Sequence, residues 1–310
     1  MTANGLRVIK PGTLSLVQDL GRWGVQHYGL SPGGALDEHA ARWANKLLGN
    51  PVAAALLEIT LGNVELEADV ACCIAMTGAV QRIRLNDQTL PGWRTCQLQP
   101  GDRLRVDFAS SGQRSYLAVA GGFLFSSMFG SVASVEREQV GAFAGRPLQA
   151  GDCLPCGSAP VLPHHRQVPW RYIPDYDAPL VARVIPGYQV EQFDRRALEQ
   201  FYQTGFILSS DSNRMGFRLK GQPIESGVSG LLSEGICFGA IQIPPDGQPI
   251  VLLKDRQTLG GYPKLGSLLP LDAFRLTQCR PGTEVRFETI SLQHAQATMK
   301  PFYNFFAESG

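Results

Sequence analysis

The sequence predicts a mainly β protein. The chain has 310 residues, enough for two domains or for one large β domain. Short apolar segments alternate with Gly, Pro, Asn or Asp roughly every dozen residues, a rhythm typical of antiparallel barrels and sandwiches and not of βαβ units. Segments with helical periodicity are few and short.

Eight apolar segments bounded by turn residues predict strands. They are residues 64–66, 71–76, 81–85, 104–108, 116–120, 181–185, 250–253 and 284–288.

A turn motif recurs before strand-like segments. Residues 99–102 read Gln-Pro-Gly-Asp, residues 149–152 read Gln-Ala-Gly-Asp, and residues 280–283 read Arg-Pro-Gly-Thr. Each sequence favours a turn that leads into a strand. The echo indicates two similar halves.

Three segments predict helices. Residues 37–48 place Leu36, Trp43 and Leu47 on one face, with Asp37 as a cap or first-turn carboxylate and Gly49 as the stop. The second segment spans 191–202, and the third runs from 291 to 299 until Pro301 is expected to end it.

The apolar pattern is interrupted between residues 157 and 179, where prolines, histidines and charges collect. We therefore predict an N-terminal β domain over 1–160 with one helix near 37–48, a linker over 161–177, and a C-terminal domain over 178–310.

Composition excludes several classes of partner. Lys and Arg number 28 against 27 Asp and Glu, a net charge of +1, so no basic stripe for nucleic acid is present. The uncharged stretch 115–135 is broken by glycines and serines, which argues against a membrane span. Seven cysteines and an amino terminus without a signal-like apolar segment predict a reduced, cytoplasmic protein.

Common nucleotide and nucleophile motifs are missing or defective. No G-x-G spacing and no Gly-Lys pair occurs, which argues against a Rossmann fingerprint and a P-loop. Residues 29–33 match G-x-S-x-G, but Pro32 has no N–H to donate to an oxyanion, so a tight turn is favoured over a serine hydrolase.

Four residues have the chemistry of zinc ligands: Cys153, Cys156, His164 and His165. A single CxxC without a second matched pair also fits ordinary thiols, and the sequence leaves both interpretations open. No metal is otherwise indicated.

Two segments combine turn residues with charged side chains. Residues 18–37 carry Asp19, Arg22 and Asp37 among glycines, which suits either an anion or amide site or a loop braced by an ion pair. Residues 209–262 are denser, with Arg214, Glu234 and several amides. Arginine and amide donors can stabilise an oxyanion while a carboxylate handles a proton, although such pairs also brace turns.

Five blocks in order resemble a known family. They are 13–49 (TLSLVQDLGRWGVQHYGLSPGGALDEHAARWANKLLG), 57–62 (LEITLG), 114–122 (RSYLAVAGG), 212–221 (SNRMGFRLKG) and 233–264 (SEGICFGAIQIPPDGQPIVLLKDRQTLGGYPK). They are similar to the biotin-dependent carboxyltransferase family, also called allophanate hydrolase subunit 2 or KipA-like. The resemblance covers nearly the whole chain.

The resemblance implies a fold of two cyclophilin-like β-barrel domains with a few short helices. It also implies partners: a KipI-like subunit and a LamB/YcsF-like subunit, the B and A subunits of bacterial 5-oxoprolinase. In that complex, ATP hydrolysis is coupled to hydrolysis of 5-oxo-L-proline to L-glutamate, and this chain is expected to be the C subunit. ATP is used by the complex, and no cofactor is bound by a recognisable motif of this chain.

Two other functions are implied by relatives. One is a carboxyltransferase component acting on urea or a related amide, the only interpretation in which biotin takes part. The other is a KipA-like regulatory protein that sequesters a KipI-like partner.

By resemblance, the catalytic residues are expected to be Arg214, Glu234, Gln257 and Thr258. Arg214 and the Gly260-Gly261 backbone would hold an oxyanion, Glu234 would handle a proton, and Gln257 with Thr258 would orient the lactam. The expected substrate-binding residues are Asp19, Arg22, Ser233, Gln242, Gly260, Gly261, Tyr262 and Lys264.

Overall fold

The computed structural model describes residues 4–158, 165–227 and 231–307. Within that part it contains twenty β-strands and four α-helices, so the mainly β prediction is confirmed. The chain divides into two compact units. The first unit comprises Met1–Trp23, Gly33–Asp177 and Phe306–Gly310, and the second comprises Gly24–Pro32 and Ala178–Phe305.

The first unit contains eleven strands in two sheets. They are β1 (Gly5–Pro11), β2 (Leu14–Gln18), β3 (Leu56–Thr60), β4 (Val64–Ala68), β5 (Cys72–Val80), β6 (Ile83–Leu85), β7 (Gln88–Leu90), β8 (Arg94–Leu98), β9 (Arg103–Val106), β10 (Ser111–Val119) and β11 (Cys153–Pro155). The six-stranded sheet has the order β11-β1-β4-β9-β6-β7, and the five-stranded sheet has the order β2-β3-β10-β5-β8. Apolar side chains from both sheets form one core, which includes Leu6, Leu66 and Leu117.

Helix α1 (Glu38–Leu48) begins and ends as the sequence predicts. The Asp37 carboxylate caps it by accepting a hydrogen bond from the Ala40 N–H at 3.1 Å, and Gly49 closes it with φ +72°. A buried network fixes the entry to the helix: the Tyr116 hydroxyl donates to Glu58 at 2.9 Å and accepts from the Asp37 N–H at 2.7 Å.

The second unit contains a closed barrel. Its strands are β12 (Leu180–Pro186), β13 (Phe206–Leu208), β14 (Gly216–Lys220), β16 (Ala240–Gln242), β17 (Ile250–Leu252), β19 (Lys264–Leu268) and β20 (Glu284–Thr289). They follow the order β12-β19-β16-β17-β14-β13-β20, and the barrel closes where β12 pairs with β20 in parallel. Two short strands outside it, β15 (Glu234–Gly235) and β18 (Leu259–Gly260), form an antiparallel ribbon.

Three further helices are α2 (Arg195–Gln203), α3 (Pro270–Leu276) and α4 (Leu292–Phe306), and all of their residues except Phe306 belong to the second unit. The predicted helix at 191–202 starts later, because residues 188–192 form a 3₁₀ turn and the Asp194 carboxylate caps α2. Helix α3 was not predicted, although Pro270 stands in its first turn, where proline is favoured.

The prediction that Pro301 ends the last helix was wrong. Helix α4 continues through Pro301 to residue 306. The proline removes one backbone hydrogen bond, but Phe302 in the following turn packs against a cluster that contains Leu269, Ala295 and Met299. Burial of that ring holds the turn that the proline weakens.

The recurring turns are confirmed. Backbone N–H groups of Asp102, Asp152 and Thr283 donate to the carbonyls three residues earlier at 3.0, 3.1 and 3.0 Å. The glycine at the third position of each turn has φ between +89° and +91°. That left-handed value is the one that a type II turn requires at this position.

The division into units also bears on the predicted linker. Its described residues 165–177 belong to the first unit, residues 161–164 lie outside the described residues, and the segment Gly24–Pro32 belongs to the second unit. Ser31 is anchored there, since its buried hydroxyl donates to the Arg256 carbonyl at 2.8 Å. None of the described helices has the length and apolar character that crossing a bilayer would require.

Candidate functional site

The ribbon of β15 and β18 carries the densest group of predicted site residues. Glu234 pairs with Gly260, and the Ile236 N–H donates to the Thr258 carbonyl at 3.2 Å. Gly260 has no space for a side chain, because an added Cβ would lie 2.4 Å from Ile236 Cδ1 and 2.7 Å from Gln242 Nε2. The ribbon therefore lies directly against the Gln242 amide.

Glu234 is the centre of a polar network. Its Oε1 lies 2.5 Å from the Lys264 ammonium and accepts from Gln189 Nε2 at 2.5 Å, while its Oε2 accepts from the Tyr188 hydroxyl. Gln189 is buried, and its Oε1 accepts the Lys264 backbone N–H at 2.7 Å. One amide thus holds both members of the ion pair in register.

The network keeps Glu234 ionised. The Lys264 ammonium and then the Tyr188 hydroxyl lower the pKa of Glu234. The same hydrogen bond to Glu234 raises the pKa of Tyr188, so the phenol retains its proton and acts as a donor. At neutral pH the cluster presents a carboxylate, an ammonium and a phenol together.

A cavity of about 210 Å³, here called the first cavity, lies beside this network. Tyr188, Gln189 and Lys264 line it, together with Gly235 and the exposed Cys237. Much of the remaining wall is apolar, formed by residues such as Ile185, Pro186 and Ala240. The cavity therefore offers an apolar floor with a charged edge.

A second cavity, of about 300 Å³, opens on the same unit. Predicted residues Gln242, Gln257 and Tyr262 line it, as does Arg218. Gln242 is 1% exposed, and among the described residues no hydrogen-bond partner is found for its Nε2. An unpaired buried amide is costly unless a partner arrives.

The remaining predicted residues of the ribbon region have different positions. Gln257 and Thr258 are half-buried, Tyr262 is exposed, and Ser233 is exposed. A Cβ at Gly261 would lie 3.3 Å from the Ser233 hydroxyl, so these two residues are neighbours. The structure thus brings Ser233, Glu234, Gln242, Gly260 and Gly261 around one ribbon.

Arg214 is buried behind this region in an ion pair. Its Nε and Nη2 donate to the two carboxylate oxygens of Asp255 at 2.8 and 3.0 Å, and the Asp255 N–H donates to the Arg214 carbonyl at 3.0 Å. Such a bidentate pair fixes the loop that leads to Gln257. The expected oxyanion role of Arg214 stays a prediction, and its contacts favour positioning.

Asp19 and Arg22 lie in the first unit, where both bind one segment. Asp19 accepts from the Ser131 hydroxyl at 2.7 Å and from the Val132 N–H at 2.8 Å, and Arg22 donates to the Ala133 carbonyl. Both side chains are buried. These contacts brace a loop, and their predicted role in substrate binding is not tested by them.

The candidate zinc ligands do not form a group in the described residues. Cys156 is buried, and His165 Nδ1 lies 3.2 Å from the Thr95 carbonyl. His164 lies outside the described residues. Among the residues that are described, no group of three or more His, Cys, Asp and Glu side chains could hold a metal ion.

Sequence reasoning missed Tyr188, Gln189 and Arg218. Tyr188 and Gln189 follow the end of β12 and reach Glu234 across 46 and 45 positions of sequence. Their only local signal is a glycine followed by polar residues after a strand. Arg218 lies within the block 212–221, but strand alternation alone does not reveal that it faces a cavity.

Comparison with known proteins places this architecture in a family. The model of the carboxyltransferase domain, subdomain A and B, matches residues 28–289. The chain is 37% identical over 309 residues to the C subunit of 5-oxoprolinase from Escherichia coli (strain K12), covering 98% of this chain and 97% of that protein. It is 36% identical over 280 residues to the 5-oxoprolinase C subunit from Haemophilus influenzae, covering 90% and 89%.

A solved structure extends the likeness. The Kluyveromyces lactis urea carboxylase superposes with a TM-score of 0.89 at 25% identity, covering all of this chain and 30% of that one. The present chain therefore spans less than a third of that larger enzyme.

Proposed function

Because the chain belongs to the carboxyltransferase domain family, we propose that it is the C subunit of an ATP-dependent 5-oxoprolinase, which hydrolyses 5-oxo-L-proline to L-glutamate. The observation that carries this proposal is the match over about nine-tenths or more of both chains to two proteins of that name. The match leaves no large segment of either relative unaccounted for, unlike the partial match to urea carboxylase.

The name of these relatives marks them as one subunit among others. We propose that this chain works with a KipI-like subunit and a LamB/YcsF-like subunit, and that the complex uses ATP. The sequence has no P-loop pattern, which supports a division of labour in which another subunit holds the nucleotide.

The chemistry to be performed is opening of a five-membered lactam. Water adds to the carbonyl carbon, the C–N bond breaks, and the nitrogen takes a proton, so that one water and one lactam give one glutamate. Developing negative charge on the carbonyl oxygen needs donors, and the leaving nitrogen needs a proton.

The residues of the second unit supply these groups. In the proposal, the backbone at Gly260 and Gly261 donates to the oxyanion, and Gln257 with Thr258 orients the lactam. Glu234 is ionised and accepts a proton, and its partner Lys264 supplies positive charge. Arg214 acts by positioning the loop through Asp255.

The structural likeness to urea carboxylase favours one second candidate, transfer of a carboxyl group to urea or a related amide. That reaction requires a biotinylated partner, whereas lactam hydrolysis does not. Dependence on biotin therefore separates the two candidates.

The test is ATP-dependent release of glutamate from 5-oxo-L-proline by the chain mixed with its KipI-like and LamB/YcsF-like partners, each omitted in turn. We expect activity that is lost when this chain is omitted and is unaffected by avidin. An assembled complex that releases no glutamate would overturn the proposal.

A matched pair of variants tests the site. Gln257→Ala should lower turnover at least tenfold, while Gln203→Ala, an exposed residue at the end of α2, should leave it unchanged. Equal turnover of both variants would remove Gln257 from the site.

A further inference from the structure

Three residues on neighbouring strands form a row in the barrel wall and line the same cavity. Ile250 on β17 is the register partner of Arg218 on β14 and also of Gln242 on β16. Residues directly opposite in antiparallel strands point to the same face. All three line the second cavity, so its floor is this row.

The row has polar groups at both ends and an apolar centre. Two strand spacings separate the backbones of Arg218 and Gln242 by about 10 Å. Arg218 and Gln242 therefore stand on either side of Ile250 in the wall of the cavity. The row therefore suits a small ligand with an apolar body and a polar group at each end.

The two ends differ in depth. Gln242 is 1% exposed, and its Nε2 has no hydrogen-bond partner among the described residues. Arg218 is exposed. A ligand would therefore place a hydrogen-bond acceptor at the bottom of the cavity and a negative charge at its rim.

The rim also carries an acid and an amide. Asp211 lines the cavity and lies 4.0 Å from the Lys220 ammonium, which offsets part of its charge. Asn213 Oδ1 accepts the Met215 N–H at 2.8 Å. An N–H group on the ligand could donate to Asp211, so the lining complements a molecule that has a carbonyl, an N–H and a carboxylate.

We propose that the second cavity is a substrate subsite in which Gln242 Nε2 donates to a lactam or amide oxygen and Arg218 selects ligands that carry a carboxylate. This inference rests on the function proposed above, since 5-oxo-L-proline has a lactam carbonyl, an N–H and a carboxylate on one small ring. Urea lacks the carboxylate, and Arg218 therefore discriminates between the two candidate substrates.

The experiment measures binding to the full chain by calorimetry, so that it does not depend on turnover. The ligands are 5-oxo-L-proline, 2-pyrrolidinone and L-proline. 2-Pyrrolidinone lacks the carboxylate of 5-oxo-L-proline, and L-proline lacks its ring carbonyl. We expect 5-oxo-L-proline to bind at least tenfold more tightly than either of the others.

Variants separate the two contacts. Arg218→Ala should weaken the binding of 5-oxo-L-proline at least tenfold and leave the binding of 2-pyrrolidinone unchanged, because only the carboxylate contact is lost. Gln242→Met keeps the side-chain volume and should weaken the binding of both ligands at least tenfold. Arg195→Ala removes an exposed arginine from α2 and should change neither.

Folding and binding are read separately for Gln242→Met. Removing a buried amide whose Nε2 has no partner in the described part of the chain should leave the thermal unfolding temperature unchanged or raise it, in contrast to most polar-to-apolar changes in a satisfied core. A lowered unfolding temperature would show that the amide is already satisfied, and would overturn its part in the inference.

Failure of the inference is distinct from failure of the proposed function. Absence of 5-oxo-L-proline binding, or equal binding by the wild type and both variants, overturns the subsite. Binding as expected, combined with no glutamate release from the assembled complex, overturns the oxoprolinase activity and supports the subsite.

Discussion

Replacement of Arg214 by alanine should unfold the second unit more readily, and this effect should precede any effect on chemistry. Arg214 and Asp255 have side chains that are 7% and 12% exposed. Their bidentate contact at 2.8 and 3.0 Å takes both charges out of water. Alanine would leave the Asp255 carboxylate buried without its main counter-ion.

The magnitude follows from that geometry. Removing one member of a buried ion pair costs about 3–5 kcal/mol, because the remaining charge stays desolvated. Removing both members and filling the space with apolar side chains is close to neutral. We therefore expect a loss of about 4 kcal/mol for Arg214→Ala and less than about 1 kcal/mol for the double variant Arg214→Met with Asp255→Leu.

The assay is urea unfolding at pH 7, followed by tryptophan fluorescence and circular dichroism. The matched control is Arg195→Ala, which breaks an exposed Arg195–Glu199 pair of the same 2.8 Å length and should cost about 0.5 kcal/mol. A loss below about 1 kcal/mol for Arg214→Ala would refute the reasoning, because burial of the pair would then carry no penalty. Turnover of Arg214→Ala is informative about catalysis only under conditions in which the variant is folded.

Three further predictions concern other contacts. Lys264→Met should reduce the free energy of unfolding by about 0.5–1 kcal/mol at pH 7. Because Lys264 lowers the pKa of Glu234, urea unfolding should show the full difference between wild type and variant above the ordinary Glu pKa near 4.3, and the difference should fade as the pH falls through the lowered pKa of Glu234. A difference that does not depend on pH would contradict the assignment. Gly260→Ala should lower the unfolding temperature and weaken ligand binding in the second cavity, because the added Cβ would meet Ile236 and Gln242. Gly261→Ala should be tolerated, because the nearest atom to its added Cβ would lie 3.3 Å away. Equal unfolding temperatures and equal ligand binding for the two variants would contradict this reasoning. Asp37→Ala should lower the free energy of unfolding by about 1–2 kcal/mol, because it removes the cap of α1 and the acceptor of the Tyr176 hydroxyl at 2.9 Å. An unchanged midpoint of chemical unfolding would count against the capping role of Asp37.

The fold class could be predicted because it depends on local features. Each of the eight predicted strand segments overlaps an observed strand, and the three glycine turns have the φ values that their sequences require. Asp37 and Gly49 bound α1 because capping involves only the helix's own backbone. Short strands such as β7 and β13 could not be found, since three residues carry too little periodicity.

The end of α4 shows where local reasoning fails. Proline is a reliable breaker only when nothing beyond it contributes enough packing energy. Phe302, one residue after Pro301, lies 6.1 Å from the Phe274 ring and packs on the cluster around Leu269. The residue that decides the helix length is therefore a partner on α3, which the sequence around Pro301 does not contain.

The candidate site was only partly predictable for a related reason. Its polar residues could be named as types, but the Glu234 network depends on Tyr188 and Gln189, which approach only because β12 and β16 both pair with β19. The second cavity depends in the same way on strand register. A shift of one residue in β17 would move Ile250 to the opposite face and remove the apolar centre of the row that Arg218 and Gln242 flank.

The buried amide of Gln242 indicates a bound ligand more strongly than the charged residues around it do. Charged side chains at a barrel rim find water or each other, as Glu234 and Lys264 do, and their pairing has an adequate structural explanation. A glutamine that is 1% exposed has no access to bulk water, so an amide whose Nε2 has no partner among the described residues is a cost that apolar packing could have avoided. Its retention between Ile236 and the cavity is explained if a carbonyl group of a ligand completes it. The substitution to methionine is decisive because an unpaired amide predicts an unchanged or raised unfolding temperature, whereas a satisfied amide predicts a lowered one.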